Sequence, residues 1–531
     1  MAAAMPKFLA AIAAALLLSS VAPAVAEDRE DARFGTVHFQ TSCNEVAQRR
    51  FDRAMRYQHS FWYRESKQIF EETLAADPGC AIAFWGIALS LLFNPHIATP
   101  AANLPLGLAA LEKGRSLGAR TQRERDYIDA LAVVYADYDK QTFGQRVQNY
   151  LKAMEALAQR YPDDDEAQIA YAITLNVAAS PDDKTYANQL KGAAILEPIF
   201  KRQPRHPGVA HYLIHLYDYP QIAEKGLDAA RRYAEIAPAA PHALHMPSHI
   251  FTRVGDWKES ISSNVASARA AKANKEWADQ LHAMDYLVYA HLQLAQDKQA
   301  RAVVDEMIET KGYDPAVRGA PYAIAAGEAR YMVERSDWKG AAALELRPSK
   351  FAYVDALTHF ARALGSAHVG KLDDARTSIA ELAALRDKLR QAKDDYWSEQ
   401  VDIQWQMASA WLLHAEGKHE QALAMSRDAA DAEDKTEKSI VTPGQLAPAR
   451  ELYGAMLLER GMAGQALAQF EAVLRKEPNR FNAFAGAAAS AERAGDPKKA
   501  MDYSEKLLAL AGNGNLSRPA LVAAQQRHAT R

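Results

Sequence analysis

Apolar positions along this chain follow the three- and four-residue spacing of amphipathic helices almost throughout. Strand-like alternation is nearly absent, and FGTVHFQ at residues 34–40 is the one candidate for a strand. The pattern therefore predicts an all-α protein. The length of 531 residues exceeds that of a usual single domain, so we expect either several domains or an array of repeats.

The same helical unit is found near both ends of the chain. Residues 70–89 read FEETLAADPGCAIAFWGIAL, and residues 470–489 read FEAVLRKEPNRFNAFAGAAA. When the two stretches are aligned, their opening phenylalanines, their prolines and the glycines near their ends coincide. A unit that is present at both ends indicates a repeat that extends along the chain.

The period of this repeat is visible near the C-terminus. Gly461 and Ala466 recur 34 residues later as Gly495 and Ala500. A small residue at the turn, Ala five positions later, and then an aromatic residue and Pro are typical of a tetratricopeptide (TPR) repeat. Related turns are RVGDWKES, RSDWKGA, HVGKLDDA and AEGKHEQA.

We therefore predict a TPR-type α-solenoid over residues 44–512, with about twelve helix pairs. Such pairs stack into a right-handed superhelix, because each pair buries its apolar face only against its neighbours. The first helices of the pairs are expected to line the concave surface.

Residues 1–26 have the pattern of a secretory signal peptide. Lys7 precedes a short apolar run, and Ala24-Val25-Ala26 forms a small-residue cleavage site. We therefore expect a periplasmic or secreted mature chain that begins with an extended segment, residues 27–43. No segment resembles a membrane span. Residues 513–531 are polar and are expected to form a frayed tail.

The chain has two cysteines, Cys43 and Cys80. In an exported protein such a pair is more often a disulfide than a catalytic thiol, so we predict a Cys43–Cys80 bond. Two free, buried thiols are the alternative interpretation.

Charge and motifs exclude several classes of function. The formal net charge is −3, or −4 once Lys7 is removed, so the chain lacks the basic surface that nucleic-acid binding requires. The sequence also contains no glycine-rich phosphate loop and no nucleophile elbow.

Histidines occur at matching positions in two successive repeats. They lie in HPGVAHYLIHLYDYP, residues 206–220, and in PHALHMPSHIFTRVGDW, residues 241–257. Adding 34 takes His211 to His245 and His215 to His249. Each pair is spaced i, i+4 and shares one helix face. Because adjacent first helices lie about 10 Å apart, we predict a rough square of four imidazoles that faces the groove.

Neighbouring residues extend this patch. HAMDYLVYAH aligns with HALHMPSHIF at an offset of 40, which places His282 on His242 and Asp285 on His245. Asp218 follows His215 by three residues and continues the same helix face. The predicted ligand-binding patch is His211, His215, Asp218, His242, His245, His249, His282 and Asp285.

The patch has three interpretations. His211, His215, His245 and His249 are suitable ligands for Zn(II), Cu(II) or Ni(II), with an Asp as an oxygen ligand or as a partner that orients a ring. Alternatively, the patch binds an anionic or peptide ligand through pH-sensitive donors. The third interpretation is a structural ladder of hydrogen-bonded rings that was copied by duplication.

Other features around the patch are less informative. HYLIH has Tyr212 where a zinc-protease motif needs Glu, so it specifies no general base. Pro247 should kink a helix that opens at Pro241, unless that helix begins later. The remaining histidines are interpreted as packed or surface residues: His38, His59, His96, His206, His291, His359, His368, His414, His419 and His528.

The stretches HYLIHLYDYP, YAEIAPAAPHALHMPSHIFTRVGDW and FWGIALSLLFNP resemble a group of secreted bacterial TPR proteins. The resemblance covers most of the chain and implies a TPR α-solenoid and an exported protein. It implies no reaction. Tyr219 stands where a second Asp is expected after Asp218, and this departure removes one carboxylate near the histidines.

The sequence thus favours an exported TPR scaffold that binds a protein segment or a small ligand in its groove, with the histidine patch as the main contact region. The alternative is a metal-binding protein or a metal-dependent enzyme that uses the same histidines. The sequence leaves the partner and any reaction open.

Overall fold

The computed structural model describes residues 32–529, so the predicted signal peptide lies outside the described residues. Within this range the regular structure is helical, with α-helices and two 3₁₀ turns at Ala32–Phe34 and Ala223–Gly226, and it contains no strand. None of the described helices combines the length and the apolar composition needed to cross a bilayer. The predicted all-α class is confirmed.

The candidate strand at residues 34–40 is not a strand. The segment that follows Phe34 has no regular secondary structure. Its alternation has another cause: Val37 and Phe39 are buried, and the Phe39 ring lies 5.0 Å from that of Phe51 and 5.3 Å from that of Trp85, measured between centroids. An extended chain packed on helices shows the same period of two as a paired strand.

The chain divides into two compact units. Unit 1 comprises residues up to 179, 185–216 and 231–243, and unit 2 comprises 180–184, 217–230 and 244 onward. The predicted array over residues 44–512 is therefore divided between two bodies.

Unit 1 contains eight complete helices in the described range. They are α1 (Glu45–His59), α2 (Tyr63–Ala76), α3 (Ile82–Leu91), α4 (Asn103–Leu117), α5 (Gln122–Tyr135), α6 (Phe143–Arg160), α7 (Asp165–Val177) and α8 (Ala187–Arg202). The next three helices contribute residues to both units: α9 (Pro207–Tyr217), α10 (Leu227–Ile236) and α11 (Pro241–His245).

Unit 2 contains the remaining helices. They are α12 (Pro247–Val254), α13 (Trp257–Asn274), α14 (Trp277–Gln293), α15 (Asp297–Glu309), α16 (Gly319–Val333), α17 (Trp338–Ala342), α18 (Ala352–His368), α19 (Leu372–Gln391), α20 (Asp395–Ala415), α21 (His419–Glu433), α22 (Ala449–Glu459), α23 (Ala463–Lys476), α24 (Phe481–Arg493), α25 (Pro497–Ala511) and α26 (Pro519–Ala529).

The helices pack in the manner of a TPR-type α-solenoid. From α1 to α8 and from α12 to α26, each helix contacts the next one in the chain. In unit 2 the first helices of successive pairs also lie side by side, in the order α14, α16, α18, α20, α22 and α24. In unit 1 the same relation joins α1, α3 and α5. The consecutive helix pairs expected from the repeat are therefore present in both units.

Two glycines show why the repeat keeps a small residue at one position. A Cβ atom on Gly86 would lie 2.4 Å from the ring of Phe70, and one on Gly486 would lie 2.3 Å from the ring of Phe470. Both distances are far below van der Waals contact. At both ends of the chain, this phenylalanine thus packs directly on the backbone of the next helix.

The turns inside the repeats depend on a left-handed residue. Glycines fill this position at 255, 370, 417, 461 and 495, with φ between 71° and 80°. In RSDWKGA the position is held by Ser336, with φ of 53°. Glycine adopts this conformation without the steric cost that a Cβ atom brings, which explains the preference.

Cys43 and Cys80 form a disulfide, with their Cα atoms 5.1 Å apart. The bond joins the segment before α1 to the residues that precede α3. Next to it, the Asn44 N–H donates to Asp77 at 2.9 Å.

The expectation of a frayed tail is wrong for the described part of the C-terminus. Leu521 and Ala524, on one face of α26, are fully buried. Before that helix, the Arg518 guanidinium donates to the Asp297 carboxylate, with an Nε–Oδ1 distance of 3.0 Å. These apolar contacts and two ion pairs, Arg518 with Asp297 and Arg527 with Glu492, join this polar segment to the rest of unit 2.

A buried acid in unit 2 provides a test of the packing at α21. Glu433 is 7% exposed and accepts a hydrogen bond from the Ala449 N–H at 2.7 Å. Burial raises the pKa of Glu433 to about 7. Because the folded pKa lies above the unfolded value, this group costs stability as pH rises from about 4.5 through 7, by about 3 kcal/mol.

We therefore expect Glu433→Gln to be more stable than wild type at pH 8, by a larger margin than at pH 5. The amide keeps the hydrogen bond and does not ionise. The measurement is the melting temperature of both proteins at the two pH values. An equal difference between the proteins at pH 5 and at pH 8 would show that the buried carboxylate does not titrate in this range.

Candidate metal centres

Three histidines converge in unit 1. His211 and His215 lie one turn apart on α9, and His242 lies on α11. The Nε2 atom of His211 is 3.1 Å from that of His215 and 3.0 Å from that of His242. All three candidate ligand atoms lie within 4.8 Å of one another. Nitrogens bound to one tetrahedral Zn²⁺ lie about 3.3 Å apart, so the group has the dimensions of a metal site; we call it triad 1.

A hydrogen bond on the far side of the His211 ring sets its tautomer. Nδ1 lies 2.7 Å from the carbonyl oxygen of His59 and donates its proton there. In the neutral ring, Nε2 then carries a single lone pair. That lone pair faces the Nε2 atoms of both His215 and His242. A metal ion would satisfy all three nitrogens at once.

Aromatic rings enclose triad 1. The Phe61 ring lies 4.3 Å from that of His211 and 5.0 Å from that of His242, and Tyr233 stacks on His211 at 5.2 Å. His211 itself is fully buried. Such surroundings exclude water and favour neutral imidazoles, which are the form that binds metal.

A second group of three lies in unit 2. His245 ends α11, His249 lies on α12 and His282 lies on α14. The Nε2 atoms of His245 and His249 are 3.0 Å apart, and the ligand atom of His282 lies within 4.8 Å of both. We call this group triad 2.

Each ring of triad 2 has a hydrogen-bond acceptor on its outer side. His245 Nδ1 donates to Asn264 Oδ1 at 2.7 Å, and His249 Nδ1 donates to Asp218 Oδ2 at 2.8 Å. A hydrogen bond also joins the His282 ring to the backbone of Val441. Metal-binding histidines characteristically have such partners, which fix the tautomer and orient the ring.

These tautomers bring two lone pairs face to face. Neutral His245 and His249 both carry their proton on Nδ1, so their Nε2 lone pairs oppose each other at 3.0 Å. Two opposed lone pairs repel unless a proton or a metal ion lies between them. Burial lowers the pKa of His249, although Asp218 acts in the opposite direction, and burial lowers the pKa of His282 to about 3. Burial therefore opposes protonation of His249, and a metal ion between the two rings would bind both lone pairs.

Asp218 is the centre of the charge network behind triad 2. Besides His249, its carboxylate accepts from Arg253 Nε at 2.8 Å and from Lys438 Nζ at 3.0 Å. Burial alone would raise the pKa of Asp218, but Lys438, Arg253 and His249 hold it well below its usual range. Burial also lowers the pKa of Lys438 to about 8. Asp218 is therefore ionised and orients the His249 ring.

Tyr286 borders triad 2 on a further side. Its hydroxyl lies 3.4 Å from His249 Nε2 and donates to the Thr442 carbonyl at 3.2 Å. Its ring meets that of His245 edge-on, with centroids 4.7 Å apart. The hydroxyl is thus the polar group beside the converging nitrogens.

A third cluster, in unit 1, satisfies its own hydrogen bonds. The Glu166 carboxylate lies 3.1 Å from His59 Nε2 and 2.9 Å from His206 Nε2. His206 Nδ1 accepts from the Val209 N–H at 3.3 Å, so its Nε2 carries the proton and donates to Glu166. The cluster needs no metal. The sequence-based interpretation of His59 and His206 as packed residues fits this geometry, and the buried Glu166 between them was missed.

The structure separates the predicted patch into these groups. Triad 1 joins His211 and His215 to His242, and triad 2 joins His245 and His249 to His282. Asp218 lies behind triad 2 rather than in it. The single square of His211, His215, His245 and His249 joins residues of both units and stays a prediction.

Asp285 is placed differently from the expectation. It is fully buried, and its Oδ1 lies 3.6 Å from Arg330 Nε. It is absent from the groups of convergent ligand atoms in the described part of the chain. Burial raises its pKa to about 6, so it is a weak candidate for an oxygen ligand.

Pro247 interrupts the helix as expected. α11 ends at His245 and α12 begins at Pro247, and the His249 N–H bonds to the Met246 carbonyl at 3.1 Å, a three-residue rather than a four-residue link. Pro247 also lacks the N–H that a continuous helix would need. The break lies between the two histidines of triad 2 that are close in sequence.

Comparisons with known proteins give the chain no family. No protein-family model matches it, and no characterised protein matches it in sequence. Among solved structures it is similar to the crystal structure of the APC/C hetero-tetramer Cut9–Hcn1, with 12% identity, a TM-score of 0.29, and coverage of 90% of this chain and 96% of the other. It is also similar to the human IFIT1 dimer with m7Gppp-AAAA, with 11% identity, a TM-score of 0.34, and coverage of 86% and 95%. Likenesses this distant give no information about what this chain binds.

Proposed function

We propose that this protein binds divalent transition-metal ions at triad 1 and triad 2. The opposed Nε2 atoms of His245 and His249, 3.0 Å apart with their outer nitrogens bonded to Asn264 and Asp218, carry the proposal. A metal ion between the two rings would explain why their Nε2 lone pairs face each other.

The donor set indicates the class of metal. Three imidazole nitrogens suit Zn(II), Cu(II) and Ni(II), whereas Ca²⁺ and Mg²⁺ require oxygen ligands. Three protein ligands also leave a fourth position for water or a substrate, as in catalytic zinc sites; structural sites are usually closed by a fourth side chain. A metal-dependent enzyme is therefore the more specific form of the proposal, with the Tyr286 hydroxyl beside the open position of triad 2.

We further infer that the protein is exported. The small-residue pattern that ends at Ala26 supports this, as does the Cys43–Cys80 disulfide, because such bonds persist in oxidising compartments.

A protein- or ligand-binding scaffold is the second candidate function. It is favoured by the row of adjacent first helices from α14 to α24 in unit 2, since arrays of this kind present long continuous surfaces. The two candidates are compatible, because a scaffold can carry metal.

Metal analysis tests the proposal. Protein purified without a histidine tag, loaded with Zn²⁺ and dialysed, should retain about two equivalents per chain. His211→Ala and His249→Ala should each lose about one equivalent, because two imidazoles bind far more weakly than three. X-ray absorption should show nitrogen ligands at about 2.0 Å.

The exposed His38, which pairs with Asp52 at 2.9 Å, provides the matched control, and His38→Ala should keep both equivalents. A chain that retains no metal and melts at the same temperature with and without EDTA would overturn the proposal.

A further inference from the structure

A pocket in unit 1 is distinct from both triads. It has a volume of about 120 Å³ and is lined mainly by aromatic and aliphatic side chains, among them Phe39, Phe61, Tyr63, Trp85, Phe93 and Tyr150. We propose that it binds a neutral aromatic molecule of about one ring that carries a hydrogen-bond-accepting oxygen. The proposal does not depend on metal binding.

The size and lining of the pocket define the apolar part of the ligand. An engineered cavity of about 150 Å³ lined by apolar side chains stays dry and binds benzene. This pocket is similar in size and richer in aromatic rings, which favour offset or edge-on contacts with another ring. Phe61, Tyr63 and Phe93 form one wall, with centroid distances of 5.2 Å and 5.6 Å between neighbours.

A buried hydroxyl defines the polar part. Tyr63 is 8% exposed, and its hydroxyl has no hydrogen-bond partner among the described residues. A buried donor without a partner destabilises the folded state. Tyr127 and Tyr212, which also line the pocket, already bond to Asp164 at 2.9 Å and to His59 at 3.0 Å. Tyr63 is thus a buried donor that an oxygen of the ligand can satisfy.

Charge excludes an anionic ligand. The lining residues include no lysine or arginine, and the one carboxylate among them is Glu166. Burial alone would raise the pKa of Glu166, but His59 and His206 lower it far below its usual range, so it is ionised. A second negative charge beside it would be repelled and would have no cation to pair with.

The wall of the pocket is held in a costly backbone conformation. Phe61 and Phe93 have φ of +61° and +58°, in the left-handed region that bulky residues rarely adopt. Glycine would fit both positions more easily. A phenylalanine at each position is explained if its ring contacts a ligand in the pocket. Phe61 also separates the pocket from triad 1, because its ring stands 4.3 Å from that of His211.

Three probes of matched size test the proposal by isothermal titration calorimetry on the full chain. Acetophenone has a ring and an acceptor oxygen, ethylbenzene lacks the oxygen, and benzoate is an anion. We expect acetophenone to bind most tightly and benzoate at least tenfold more weakly. Tyr63→Phe should weaken acetophenone about tenfold, which corresponds to the loss of one hydrogen bond, and should leave ethylbenzene unchanged.

Two further variants complete the experiment. Ala170→Phe places a ring in the pocket from its lining and should abolish binding of acetophenone and ethylbenzene. Tyr353→Phe removes the hydroxyl of another buried tyrosine, in unit 2, and should change nothing. Circular dichroism confirms that each variant is folded. Absence of acetophenone binding to the folded wild-type chain, or equal binding by wild type and Tyr63→Phe, overturns the proposal and leaves the metal centres unaffected.

Discussion

Replacing Asp218 by asparagine is expected to weaken zinc binding at triad 2 by about 10- to 100-fold, because the carboxylate orients His249 and increases its basicity. The same change should lower the free energy of unfolding by about 3–5 kcal/mol, because Arg253 and Lys438 remain buried without their counter-ion. Lys438 can reduce this cost by losing its proton, since its pKa already lies at about 8.

The affinity is best measured by competition with a zinc-binding dye in a His211→Ala background, where triad 2 is the intact centre. Asp297→Asn is the matched control. Asp297 is also a buried acid of unit 2, paired with Arg518 and Arg335, and it is not part of either triad or of the network behind them. It should reduce stability and leave zinc affinity unchanged. Equal zinc affinity in Asp218→Asn and wild type would show that the carboxylate has only a structural role.

Replacing Arg480 by methionine is expected to destabilise unit 2 by about 3–5 kcal/mol. The guanidinium is fully buried and donates to Glu451 at 2.6 and 2.9 Å and to Glu334 at 2.7 Å. A further N–H reaches the Tyr289 hydroxyl at 2.9 Å. Methionine fills a similar volume but leaves two carboxylates buried without a cation.

The loss should depend on pH in a definite direction. Without the arginine, the two carboxylates have folded pKa values above their unfolded ones, so stability falls as pH rises from 5 to 8. Melting temperatures of wild type and variant across this range measure the effect. Arg427→Met, at an exposed pair with Asp428, should leave the melting temperature nearly unchanged at every pH. A pH-independent loss in Arg480→Met would instead indicate a packing defect.

The fold could be predicted because it depends on local rules. The left-handed turn and the small residue under Phe70 and Phe470 are each fixed by a few neighbouring positions, so they recur in the sequence with a visible period. Ser336 shows the limit of that pattern, because it takes the left-handed position that glycine holds at 255, 370, 417, 461 and 495. Division into two units could not be predicted, since it depends on contacts between distant helices.

The residues of the candidate sites could be predicted only where residues that are close in the sequence are also neighbours in space. The i, i+4 pairs were identified, whereas the third histidine of each triad was assigned to the wider patch and not to the metal. Lys438 lies 220 residues from Asp218, so no local pattern connects them. Asn264 left a signal that was overlooked: the buried stripe of α13 contains Ser260, Asn264 and Ser267. A core-facing stripe of polar residues indicates polar partners.

The interleaving of the two units along the chain has a consequence for biosynthesis. Residues 217–230 belong to unit 2 but are made before residues 231–243, which complete unit 1. As the polypeptide leaves the ribosome, unit 1 cannot complete its folding until residues 217–230 have emerged. That segment belongs to unit 2, most of which has not yet been synthesised. Neither body can therefore be produced in full from one uninterrupted stretch of the gene.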